Sequence, residues 1–149
     1  MPTVQKFDRN MIERYLKSRS WKYLIDSDGD YRVEFAMDDE AGCELTVWLI
    51  MGGPNKEIYD CMIWSSRRVK KEEWGKAILM CNDWNKQKRW PKAYVYVRDR
   101  NTDTVGDIRL EQQMDLETGI HQELFDDFTS TIISGAHAFW KWATKEQGF

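Results

Sequence analysis

The chain has 149 residues, a net charge of −3, and is 42% hydrophobic and 32% charged. This composition excludes a disordered polymer and gives no global attraction to polyanions; the length suits one domain that buries about 70% of its unfolded surface. No apolar run reaches membrane-span length, the start MPTVQKFDRN lacks signal-peptide order, and three scattered cysteines (Cys43, Cys61, Cys81) read as reduced, so a cytoplasmic protein is expected.

In chain order, Phe7, Met11, Ile12, Tyr15 and Leu16 recur at helical spacing behind Asp8, a capping residue, predicting a helix over 8–19. Residues 21–25 read as a short strand, and DSDGD turns the chain. Tyr31, Val33, Phe35 and Met37 alternate with polar or small residues, as in a half-buried strand. Residues 45–51 are apolar on both faces, which predicts a central strand, and 57–64 completes a four-strand meander. A second helix is predicted from Lys71 to the stop at Pro91, with Trp74, Ala77, Ile78, Cys81 and Asn85 inward and Leu79, Met80 and Trp84 outward. Residues 93–97 and 105–111 form a hairpin, and a long helix follows over 118–145 with a break at Gly135. The order α-β-β-β-β-α-β-β-α predicts an α+β fold, a twisted antiparallel sheet with segregated helices.

No pattern of chemistry stands out. In Asp26-Ser27-Asp28-Gly29-Asp30 the calcium-loop positions for glycine and for the bidentate glutamate hold Tyr31 and Met37, so the segment reads as a hairpin turn. His121 and His137 are sixteen positions apart, with no HExxH, CxxC, nucleophile elbow or phosphate-cradling loop. No enzyme activity, metal or cofactor is expected. Arg67, Arg68, Lys70 and Lys71 before the second helix, and Lys86, Lys88, Arg89 and Lys92 after it, are cations near Trp84 and Trp90, a mixture that suits single-stranded nucleic acid. Lys86 to Arg89 also complement a helix C-terminus, and nucleic acid is the disfavoured alternative.

The segment ILMCNDWNKQKRWPKAYVYV resembles the YbjN family of bacterial sensory transduction regulators, through Asn82, Trp84, Asn85, Lys88, Arg89, Trp90, Lys92, Ala93 and Tyr94. The order of elements fits over nearly the whole chain. The resemblance implies a fold similar to type III secretion chaperones, commonly paired into dimers. Asn82, Asn85, Trp90 and Pro91 read as a structural joint, with the two amides bonding backbone where helix gives way to strand.

A second apolar set remains once one sheet face is covered: Trp48, Ile50, Met62, Trp64, Tyr94 and Tyr96. With Leu79, Met80 and Trp84 it forms the expected partner surface of a homodimer that binds an unidentified protein or peptide client, without a membrane. A carrier of a small apolar ligand held between sheet and helices is the other alternative.

Overall fold

Asp8 opens the first helix in the computed structural model, which describes residues 3–149. Its carboxylate accepts the Met11 N–H at 3.1 Å, and α1 (Arg9–Ser18) buries Met11, Ile12, Tyr15 and Leu16, the stripe the spacing predicts. Strands β1 (Leu24–Ile25), β2 (Tyr31–Asp38), β3 (Cys43–Gly52) and β4 (Ile58–Ser65) then pair antiparallel in sequence order. This is the expected meander, although only two residues of the predicted 21–25 strand pair. The DSDGD turn closes on itself: Asp26 Oδ1 accepts the N–H groups of Asp28 and Asp30, and Gly29 takes a φ of +86°.

A short strand, β5 (Arg68–Lys70), and a 3-10 turn at Lys71–Glu73 precede α2 (Trp74–Gln87). The hairpin of β6 (Lys92–Tyr96) and β7 (Val105–Asp115) follows, and α3 (Gln122–Lys145) ends the fold. β7 is the hub: β4 and β5 lie in succession along one of its edges, and β6 along the other. β5 escaped the sequence reading because its three residues, Arg68, Val69 and Lys70, are too few to show a usable alternation.

All three helices contribute to one core on one side of the sheet. Tyr31, Val33, Leu45, Val47, Leu49, Tyr59, Cys61, Ile63, Ile108 and Leu110 point into it, beneath Phe125, Ile132, Ala136, Phe139 and Trp140 of α3. Two phenols that reach α3 are satisfied there: Tyr15 meets Ser130 Oγ at 2.9 Å and Tyr59 meets Thr129 Oγ1 at 2.7 Å. Burial pushes the Cys61 thiol far above its usual range and that of Cys81 to about 12, so both are inert core groups.

Two expectations are corrected. Met80 and Trp84 do not face outward: each is only 3% exposed, and Trp84 packs edge-on against Phe139 at 5.2 Å and beside Trp142 at 5.6 Å. Ile78 and Leu79 are the exposed pair instead. The inward stripe of α2 is Ala77, Met80, Cys81 and Trp84, a rotation of the predicted one, because α2 sits against both β6 and α3. In addition, α3 runs unbroken through Gly135, whose missing Cβ serves packing: one added there would lie 2.8 Å from Pro91 Cδ and 3.1 Å from the Trp90 carbonyl.

Candidate functional site

The WN pair of the α2 C-terminus meets the edge of the sheet. Asn85 spans the outward-facing backbone of Ala93, its Oδ1 accepting the Ala93 N–H at 2.9 Å and its Nδ2 donating to the Ala93 carbonyl at 3.0 Å. Trp84 Nε1 donates to the Pro91 carbonyl at 2.9 Å. An edge strand presents such unpaired groups to any passing chain, and here two side chains of α2 occupy them. Asn82, by contrast, is exposed and makes no side-chain hydrogen bond among the described residues, so the joint rests on Asn85 and Trp84. Pro91 is buried, and Trp90 stands 44% exposed beside it.

The other face of the sheet carries no helix. Residues opposite the core alternate along each strand, and register places them in rows. Arg32, Trp48, Met62, Glu111 and Lys92 lie side by side across five strands. Ile50, Asp60 and Gln113 form a second row, and Tyr94 pairs with Arg109 in a third. None of Trp48, Ile50, Met62, Trp64 or Tyr94 belongs to the core cluster or packs against it. The face therefore contains the sheet residues singled out from the sequence, Trp48, Ile50, Trp64, Tyr94 and Tyr96, while Leu79 is exposed on α2, away from the rows.

These side chains are half-buried by one another. The Trp48 and Trp64 rings are 5.3 Å apart, the Arg32 guanidinium is 5.7 Å from Trp48, and Arg109 lies 4.6 Å from Trp64 and 3.6 Å from Tyr96. Arg109 also reaches Asp107 at 3.2 Å. Four polar atoms on this face are shielded and make no hydrogen bond among the described residues: Trp48 Nε1, Trp64 Nε1, Asp60 Oδ1 and Arg32 Nε, the last ion-paired with Glu34 at 3.5 Å. Burial, then the Glu111 carboxylate and a hydrogen bond with it, push the Asp60 carboxyl up to about 7, with Gln113 and Lys92 pulling the other way. Burial and the Glu111 carboxylate also hold the Tyr94 phenol well above its usual range. The face thus combines aromatic rings, shielded indole donors and a carboxyl raised by burial and by a neighbouring carboxylate.

Elsewhere, the Asp26, Asp28 and Asp30 carboxylates lie within 4.8 Å of one another in the exposed turn. Of the basic residues, Arg67 donates to the Phe149 carbonyl, Arg98 pairs with Asp103 at 3.3 Å, and Lys92 pairs with Glu111 at 3.8 Å. Among the described residues, no helix is long and apolar enough to cross a membrane.

The family model described as "Putative bacterial sensory transduction regulator", YbjN, matches residues 8–144. The chain belongs to the YbjN family. Among solved structures it is similar to the crystal structure described as "YbjN, a putative transcription regulator from E. coli", with a TM-score of 0.72 over 97% of each chain at 11% identity. At that identity the likeness is one of fold. No curated protein matches the sequence.

Proposed function

We propose that this YbjN-family chain is a non-enzymatic regulatory module that works by binding protein through the helix-free face of its sheet, and that a second copy of the chain is the occupant. The observation that carries the reading is the pair of shielded indole donors without acceptors, Trp48 Nε1 and Trp64 Nε1, on a face where Trp and Arg side chains concentrate. Shielded donors without acceptors cost about 1–3 kcal/mol each, and a partner that supplies acceptors removes that cost. Trp, Tyr and Arg are the residue types that dominate binding hot spots. The face also carries both signs, Arg32, Lys92 and Arg109 with Glu34, Asp60, Asp107 and Glu111, so a two-fold pairing can set cations against carboxylates.

Docking on the face rather than the edge is favoured because Asn85 and Trp84 already occupy the outward backbone of β6 at Pro91 and Ala93. Nucleic-acid binding is the weaker reading, since of the cations flanking α2 Arg67 and Lys92 are engaged within the chain, and Lys86, Lys88 and Arg89 lie at a helix C-terminus whose dipole they complement. Light scattering at tens of micromolar is expected to give a dimer, and the Trp48→Glu, Trp64→Glu double variant a folded monomer. A monomeric parent protein whose Trp48 and Trp64 indole protons exchange freely with water would overturn the reading.

A further inference from the structure

A second concave feature lies on the opposite side of the molecule, remote from the bare sheet face. It is a groove of about 580 Å³ along the outer side of α3. Its floor is Thr131, Ser134, Gly135 and Ala138, small residues spaced i, i+3, i+4 and i+7 so that they share one helical stripe. One wall is Trp90, seated there because Gly135 lets the Trp90–Pro91 segment lie directly on the helix. The other wall is Trp142, held against Trp84 at 5.6 Å between ring centroids. Trp90 alone of the eight tryptophans is exposed, although its neighbour Pro91 is buried. Both walls are flat aromatic surfaces on regular or tightly packed backbone.

The rim is basic. Lys88, Lys141 and Lys145 line the groove against one acid, Glu146. Lys141 is occupied by Glu40 at 2.9 Å, whereas Lys88 and Lys145 make no ion pair among the described residues, and Lys88 Nζ is 5.9 Å over the Trp84 ring. An apolar, aromatic-walled depression with Lys88 and Lys145 on its rim asks for a ligand of matching polarity, apolar along its body and negative at one end. The volume lies within the roughly 300–1,000 Å³ of small-molecule sites.

We propose that this groove binds a small amphipathic anion, an apolar chain or ring bearing a carboxylate, with its body between Trp90 and Trp142 and its head group at Lys88 and Lys145. Such a site would let a metabolite of that class act on a module whose protein-docking face lies on the other side of the sheet.

The test is a titration of isotope-labelled protein with dodecanoate below its aggregation concentration, read by backbone and indole NMR shifts. Shifts are expected at Ser134, Gly135, Trp90 and Trp142, and dodecylamine or dodecanol should bind about tenfold more weakly, the scale that two exposed ion pairs supply. Ser134→Trp fills the floor from an exposed helix position and should abolish the shifts while the far-ultraviolet spectrum and melting curve show a folded chain. Lys88→Glu with Lys145→Glu should weaken dodecanoate at least about tenfold and leave dodecanol unchanged. Equal binding of dodecylamine, shifts confined to Trp48 and Trp64, binding unaffected by Ser134→Trp, or no shift at millimolar ligand would each overturn the proposal.

Discussion

Replacing Asp60 by Asn tests whether the bare face stores an electrostatic cost. In the folded chain the Asp60 carboxyl is pushed up to about 7 from 3.8, mainly by burial and then by Glu111. The folded state thus holds a proton that the unfolded chain releases between pH 3.8 and 7, so stability falls as pH rises through that window and levels off above it. At 1.36 kcal/mol per pH unit the full rise corresponds to about 4 kcal/mol. Asp60 is only part-buried within the chain, and screening there reduces this to about 1–2 kcal/mol. Asparagine keeps the shape and cannot ionise. Urea unfolding of parent and variant between pH 4 and 8 should therefore give nearly equal stability at pH 4 and an advantage of about 1–2 kcal/mol for Asp60→Asn at pH 8, or roughly 2–8 °C in Tm. Parallel pH curves for the two proteins, or a variant less stable at pH 8, would refute the reasoning.

Asn85→Leu strands the backbone of Ala93 and should lower stability by about 1–3 kcal/mol, read as a urea midpoint, while Asn82→Leu should change it by less than about 0.5 kcal/mol. Met80→Glu and Trp84→Glu place a charge in the contact of α2 with α3, so circular dichroism should show a loss of about 3 kcal/mol or more instead of a folded monomer. Oligonucleotides should bind with a Kd no tighter than about 10⁻⁴–10⁻⁶ M at physiological salt, measured by fluorescence anisotropy.

The fold was legible where periodicity and punctuation agreed. Asp8 followed by Met11, Ile12, Tyr15 and Leu16 specified α1, and the alternation from Tyr31 to Met37 specified β2 and its inward face. The four-strand meander, the later hairpin and the long last helix followed in the same way. The second helix was harder, because α2 carries apolar residues around much of its circumference. With Ile78, Leu79, Met80 and Cys81 in succession, any of several stripes could face inward. The deciding contact was Trp84 on Phe139, which is 55 positions away and belongs to another element. Gly135 misled for a related reason. A glycine inside a helical pattern signals either a break or a close approach, and only the position of Pro91 distinguishes them.

The bare face was legible in the sequence because it violates the usual rule for an antiparallel sheet. One side of such a sheet should be polar when it meets water, yet Trp48, Ile50, Met62, Trp64, Tyr94 and Tyr96 share it. The structure adds a second violation that no spacing could reveal, since shielded indole nitrogens without partners depend on which neighbours crowd them. The helix-covered core satisfies Tyr15 and Tyr59 with Ser130 and Thr129 and leaves one shielded indole, Trp140 Nε1, without a partner among the described residues. The bare face gathers several such atoms, which is the pattern expected where stability is traded for binding. The same residues that leave the isolated chain poorly satisfied on that face are those a docked partner can complete. Truncating them should cost association far more than folding.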